Sequence, residues 1–397
     1  MAEQTQPTLS KDVPFDFEPR TRLIFGVNAV ERIGELAVQL GARKLLLVTD
    51  AGIVSAGHAA RVISLLERQH LKVVCFDQVE ENPSTQCVEK CVDVARLLGI
   101  DTIVGLGGGS SMDTAKGCNF ILSNGGHMSD YWGIGKAKLP MLPLIAIPTT
   151  GGTGSECQSF ALITDERTHQ KMACGDPKAA ARIAILDPAL TVSQPPRVTA
   201  CSGIDAIAHA VETAVTRKRT PLSFLFSREA FRLTATGLPR VLSSPADLEA
   251  RGRMLLGAAL AGTAIENSML GAAHSAANPL TAHFGTAHGC AVGLMLPHIV
   301  RFNSADPAAA QAYQEISLLA GICSSSDSTA VASEKLASHL ENLLDLAGLP
   351  RSLKDCGAHN GDMVRLANEA SSQWTAQFNP RTITSADFQQ LYSRALE

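Results

Sequence analysis

Asp101-Thr-Ile-Val-Gly-Leu106-Gly107-Gly108-Gly109-Ser110-Ser111-Met112-Asp113-Thr114-Ala115-Lys116 is the stretch whose reading decides the fold. Its first six residues are an apolar run ending in a turn, the pattern of a strand buried on both faces. Three successive glycines then remove every β-carbon from the turn, so backbone amides can approach an anion closely. The helix that begins at the serines adds unpaired N–H groups and the positive end of its dipole. A diphosphate fits such a turn. The spacing matches neither the dinucleotide G-x-G-x-x-G motif nor the G-x-x-x-x-G-K-[ST] motif, so the two common phosphate loops do not apply.

Working outward, the same strand-then-helix unit recurs. Strands are predicted at Thr21–Val27, Arg43–Asp50, Leu71–Phe76, Pro143–Pro148 and Arg182–Leu186, with helices near 28–41, 59–69 and 85–98. Strands alternating with helices mean a doubly wound, mostly parallel α/β domain that binds a dinucleotide at its strand ends. Asp50 closes one strand. A carboxylate there accepts hydrogen bonds from ribose hydroxyls and repels a 2′-phosphate, which favours NAD over NADP; a helix cap is the competing use. Thr149-Thr150-Gly151-Gly152-Thr153-Gly154-Ser155-Glu156 follows another strand and reads as a second polar cradle for the same ligand.

From Pro195-Pro196 onward the periodicity turns helical almost throughout, with one long helix predicted over Leu248–Asn278. The expectation is two domains, an α/β domain over 1–195 and an all-helical domain over 196–397. The chain has 397 residues, 45% apolar, 18% charged, with a net charge of −4, an ordinary globular composition without a basic footprint. That charge, with 5% aromatic residues, argues against nucleic acid as a partner. The ten scattered cysteines read as free thiols of a reducing compartment. Met1–Ser10 lacks the apolar core of a signal peptide, and the apolar run at Met254–Ile265 is too short to span a bilayer. A cytoplasmic protein without a membrane partner is expected.

The helical half carries a second concentration of chemistry. Three of eleven histidines, His274, His283 and His288, fall between Gly271 and Gly289. Asn278-Pro279 is expected to break the helix there and turn two of them toward each other. Asp205 and His209, four apart, lie one turn above each other on one helix face. A lone histidine in an apolar helix is ordinarily a satisfied core residue, but a carboxylate among apolar neighbours needs a partner or a metal. Asp205, His209, His274 and His288 are read as one metal site. Its mixed oxygen and nitrogen donors suit Fe²⁺, Zn²⁺, Co²⁺ or Mn²⁺ without choosing among them.

With both halves read, the chain resembles the iron-containing (group III) alcohol dehydrogenase family over essentially its whole length. The glycine loop 107–116, the threonine-glycine loop 149–156, Asp205 with His209, and His274 with His288 carry the resemblance; Asn82-Pro83, Lys171 and Asn379-Pro380-Arg381 also match. The resemblance implies that the four metal-site residues hold one divalent ion, usually Fe²⁺ and in some members Zn²⁺. It also implies that Gly107, Gly108, Gly109 and Ser110, with Asp113 in the same motif, hold the diphosphate of NAD. Thr149, Thr150 and Thr153, with Ser155, would line the nicotinamide side, and Asp50, Asn82 and Lys171 the adenosine and ribose. Many members place a further histidine four residues after the third ligand, near the nicotinamide, to move the proton. This chain has Asn278 there, which hydrogen-bonds but does not titrate, so His283 or a water chain would have to serve.

The implied activity is an NAD(H)- and metal-dependent alcohol dehydrogenase or aldehyde reductase, commonly a homodimer. The ion would polarise the oxygen of a small primary alcohol or aldehyde while hydride passes to or from the nicotinamide. Two rivals use the same scaffold: a metal- and NAD-dependent lyase or cyclase of the dehydroquinate synthase-like type, and a hydroxyacid/oxoacid oxidoreductase. The lyase needs many basic residues for an acidic substrate, and the metal-bearing segments show no such cluster.

Overall fold

The computed structural model describes residues 14–168 and 170–397, so the N-terminal decapeptide read above lies outside the described residues. Among the described residues nine strands run in chain order: β1 (Arg22–Phe25), β2 (Lys44–Val48), β3 (Lys72–Phe76), β4 (Thr102–Gly107), β5 (Gly133–Ile134), β6 (Leu144–Pro148), β7 (Phe160–Thr164), β8 (Lys171–Gly175) and β9 (Ile183–Leu186). Six of them form one all-parallel sheet in the order β1-β9-β6-β4-β2-β3. Around it lie α1 (Ile33–Gln39), α2 (Ala51–Ser55), α3 (His58–Glu67), α4 (Thr85–Leu98) and α5 (Gly109–Asn124). The unbroken apolar runs follow from coverage on both faces. Leu46, Val48 and Ile103 pack toward Cys87, Val88 and Cys91 of α4 and Met112 of α5. Leu45, Leu47, Val104 and Leu106 pack toward Leu36 of α1 and Val62 and Leu66 of α3. Each such leucine contributes about 1.5–3 kcal/mol by leaving water.

The strand order reverses between β2 and β4, and ligands of open α/β sheets bind outside the strand ends at that reversal. Asp50 follows β2, Gly108 follows β4 and Thr149 follows β6, so the three predicted binding segments share one edge. A small second sheet, β5-β8-β7, was not legible in the sequence. Its strands are short, and the antiparallel pair β7–β8 brings Lys171 to the end of a ladder opposite Thr164.

The helical half comprises α6 (Pro196–Thr213), α7 (Pro221–Ser243), α8 (Leu248–Ser268), α9 (Ala272–Phe284), α10 (His288–Asn303), α11 (Pro307–Leu319), α12 (Thr329–Leu346), α13 (Met363–Ser372) and α14 (Ser385–Leu396). One apolar cluster joins them, from Ile204 and Ile207 to Leu391 and Tyr392.

Two sequence expectations are corrected here. The helix predicted over Leu248–Asn278 is two helices. It ends at Met269, whose φ of 66° is left-handed, and α9 starts afresh after Gly271. Asn278-Pro279 does not break α9; the helix runs through Pro279, as α7 and α10 run through Pro239 and Pro297. A mid-helix proline forfeits one hydrogen bond, and packing in a buried helix offsets that cost. The bend that turns the histidines together lies further on, at Gly285, whose φ is 63°. Among the described residues no helix is long and apolar enough to cross a membrane, and all ten cysteines are free thiols.

Candidate metal and cofactor site

Asp205, His209 and Glu212 share one face of α6 and are all buried. His274 stands in the first turn of α9 and His288 opens α10, so a helix start presents each of them to that face. Gly289 makes the approach possible: a β-carbon there would lie 2.1 Å from the carbonyl oxygen of Cys201. The Nε2 atoms of His209, His274 and His288 lie 3.5, 3.5 and 3.9 Å from a single oxygen, Asp205 Oδ1. The His209 and His274 rings are stacked, with centroids 4.8 Å apart.

Neither Asp205 Oδ1 nor His274 Nε2 has a hydrogen-bond partner although both are buried. Leaving such atoms unmatched costs several kcal/mol in total, so the arrangement calls for a group that satisfies them together. Ligand atoms about 2.1 Å from a tetrahedral ion sit about 3.4 Å from each other. The observed spacings fit a first-row divalent cation. Asp205, His209 and His274 satisfy that geometry most tightly; the His288 imidazole is the more open of the set, its side chain 29% exposed.

Electrostatics favour the same reading. Burial pushes the Asp205 carboxyl up, but His209, His274 and His288 outweigh it and hold the group well below the usual carboxylate range. Burial depresses His209 and takes His288 down to about 3, so both stay neutral donors. His274 is the exception: burial depresses it, but Glu212 and Asp205 raise it to about 9.

Glu212 is the functional residue that the sequence reading missed. One of its oxygens accepts from the Nδ1 of His274 and the other from the Ala273 N–H at 2.7 Å. A carboxylate at Nδ1 fixes the proton there and leaves Nε2 free as a ligand. The signal was present, since Asp205, His209 and Glu212 are spaced i, i+4, i+7, but many helical glutamates have that spacing without a role.

The predicted cofactor residues assemble at the sheet edge. Gly107 has φ 144°, and a β-carbon there would stand 2.4 Å from Ser111 Oγ. Gly108 caps α5 with no side chain, leaving its first N–H groups to an outside acceptor. Gly108 and Gly109 abut Thr150 and Thr153, so the two polar loops face each other. The other glycines of the second loop serve a different purpose. A β-carbon on Gly152 would meet Ser202 of α6 at 2.5 Å, and one on Gly154 would meet Ala258 of α8 at 2.5 Å. Their smallness lets the helical half press directly on the cradle.

Thr149 is buried, its N–H donating to Gly107 O at 2.9 Å. Asp50 caps α2 by accepting from Ile53 N–H through Oδ1, while Oδ2 faces the Gly107 turn. Ser110 Oγ accepts from the Asn82 N–H, and Asn82 Oδ1 accepts from Lys171 Nζ at 3.2 Å. Asp113 and Ser155 are bonded to one another, and Ser155 accepts twice from the buried Lys116 ammonium. They brace α5 against the second loop. Asn278 donates to Gln373 Oε1 at 3.0 Å, and His283 is paired with Glu369 at 2.8 Å. Asn379 forms a reciprocal amide pair with Asn303, which ties the Asn379-Pro380-Arg381 segment to α10.

Residues 19–188 match the iron-containing alcohol dehydrogenase family, and residues 199–396 match the C-terminal part of the Fe-containing alcohol dehydrogenase family. An NAD-dependent methanol dehydrogenase of Bacillus methanolicus is 35% identical over 373 residues, covering 94% of this chain and 97% of that protein. A crystal structure of a 1,3-propanediol oxidoreductase superposes with a TM-score of 0.93 at 31% identity, covering 97% of this chain and all of the other. The sulfoacetaldehyde reductase of Bifidobacterium kashiwanohense, solved in complex with NAD⁺, gives 0.87 at 27% identity, covering 97% and 99%. The chain belongs to the iron-containing alcohol dehydrogenase family, oxidoreductases of alcohols and aldehydes.

Proposed function

We propose that this protein is an NAD(H)- and divalent-metal-dependent alcohol dehydrogenase or aldehyde reductase acting on small primary alcohols or aldehydes. The observation that carries the reading is the convergence of three imidazole nitrogens on one unpartnered carboxylate oxygen at the seam beside the glycine cradle. Asp205, His209, His274 and His288 are the proposed ligands of Fe²⁺, or of Zn²⁺ in its place. A bound ion supplies Lewis acidity toward a substrate oxygen, and NAD supplies the hydride exchange.

The chain's own residues supply position. Backbone N–H groups at Gly108, Gly109 and Ser110 would hold the diphosphate, Asp50 would accept from the ribose, and Asn82 with Lys171 would close that side. Thr149, Thr150 and Thr153 orient the nicotinamide. Glu212 holds the proton of His274 at Nδ1, so Nε2 would be the atom offered to a bound ion. Asn278 has given an N–H to Gln373, which leaves its carbonyl as an acceptor that cannot take up a proton at working pH. The proton therefore leaves by water, because His283 is committed to Glu369.

We also infer that the chain divides at Pro195-Pro196 into cofactor and metal halves and works as a cytoplasmic homodimer. The start of α6 at Pro196 supports the division, and the dimer rests on family resemblance. The test is NADH oxidation at 340 nm over a panel of short aldehydes and phosphorylated acids, with metal analysis of the fresh protein. Turnover of aldehydes with stoichiometric metal is expected. Turnover confined to the phosphorylated acids, or undiminished after exhaustive chelation, would overturn the reading.

A further inference from the structure

Away from the cleft, Arg251 on α8 is only 3% exposed, and among the described residues no carboxylate pairs with it. Its Nε donates to Pro245 O at 2.8 Å, and Nη1 donates to Thr199 Oγ1 at 3.3 Å and Gln194 Oε1 at 3.4 Å. All three acceptors are neutral, and Nη2 is not among the donors. Burial pushes the guanidinium down, with no charge offsetting it. A buried cation normally has an anion beside it, because desolvating a lone charge costs several kcal/mol.

The same guanidinium lines a small cavity of about 10 Å³ with Gln194, Thr199, Ser202, Gly151 and Met254. That is room for one water-sized particle. Gln194 Nε2 donates to Ser202 Oγ, which fixes the amide. The Arg251 Nη2 and Thr199 hydroxyl protons remain for an occupant. The wall is thus rich in donors and carries one positive charge.

We propose that this cavity binds a single halide ion, chloride under ordinary conditions, as the counter-charge of Arg251. Its donors and positive charge select against cations. The site lies where both halves meet: Gly151 belongs to the loop beside the cofactor cradle, and Ser202 precedes Asp205 by one turn of α6. Halide occupancy therefore fastens the seam on which cradle and metal cluster both depend.

The test uses the full-length protein at fixed ionic strength with chloride, bromide or gluconate as the sodium salt. A halide about a hundredfold above its dissociation constant raises the thermal midpoint by about 2–4 °C, growing with the logarithm of its concentration, and gluconate does not. Arg251→Met abolishes the halide response, and Thr199→Val raises about tenfold the halide concentration needed for the same midpoint shift. Crystals grown in bromide show an anomalous peak within hydrogen-bonding distance of the guanidinium; this wild-type measurement decides the matter if the Arg251 variant does not fold. Equal midpoints in all three salts, or a water-height peak without anomalous signal, overturn the proposal.

Discussion

Glu212→Gln is the sharpest test of how this centre is built. The carboxylate serves two donors at once, the His274 Nδ1–H and the Ala273 N–H, and is itself buried. A glutamine has one carbonyl oxygen in place of two. If that oxygen keeps Ala273, the new NH₂ group faces Nδ1–H donor to donor, and the imidazole relaxes by moving its proton to Nε2, the atom needed for the ion. Loss of such a buried partner costs about 10–100-fold in metal affinity, or about 1.4–2.7 kcal/mol. The charge balance moves the same way: one carboxylate with three neutral imidazoles leaves a divalent ion at +1, and Glu212 brings the buried cluster to neutrality. The assay is metal content after equilibration against graded chelator, with NADH affinity measured in parallel as a control for folding. Metal affinity within threefold of the parent, at unchanged NADH affinity, would show that Glu212 does not orient His274.

Other outcomes are expected. Asp205→Ala strips most metal and nearly all turnover while NADH binding persists, as elemental analysis and fluorescence titration would reveal; a fully metallated, active variant rejects the ligand set. Asp50→Gly raises the NADP/NAD kcat/KM ratio and, because glycine is itself tolerated at a helix N-cap, lowers stability by only a few tenths of a kcal/mol; an unchanged ratio removes Asp50 from the cofactor site. Gly289→Ala forces α10 off α6, so the thermal midpoint and the metal content fall together; loss of neither refutes the close approach. Glu156 is buried, and burial raises its carboxyl from 4.5 to about 7. Between those values the folded protein holds a proton that the unfolded chain has released, so stability falls as pH rises through that window, by about 3 kcal/mol. Glu156→Gln should flatten that part of a urea-midpoint pH profile, and an unaltered slope counts against it.

Much of the fold was legible because its signals are local. The strand at 102–107 is apolar without a break, and the glycines after it are consecutive, so one window defined both sheet and cradle. The proposed ligand residues stood out by type and spacing, since Asp205 and His209 lie four apart. The path of the chain between His274 and His288 was not. Proline at 279 is a strong local breaker, yet packing of a buried helix overrides it, and the turn falls at Gly285, where a left-handed backbone is needed. Glu212 escaped notice because its role depends on what a helix some sixty residues away brings to it. Gly152 and Gly154 looked like part of a binding loop; their purpose, close contact with α6 and α8, is a tertiary fact with no sequence period.

The four side chains converging at the centre come from three helices whose starts are separated by a left-handed methionine and a glycine bend. An ion seated there would rivet α6, α9 and α10 at one point, and it could not be captured until the chain had been folded as far as His288. The glycine cradle is built from residues of the first half, with α6 and α8 pressed against its second loop. Capture of the cation would therefore report that the helical half is complete, and partly assembled molecules would be recognisable as species that carry no metal.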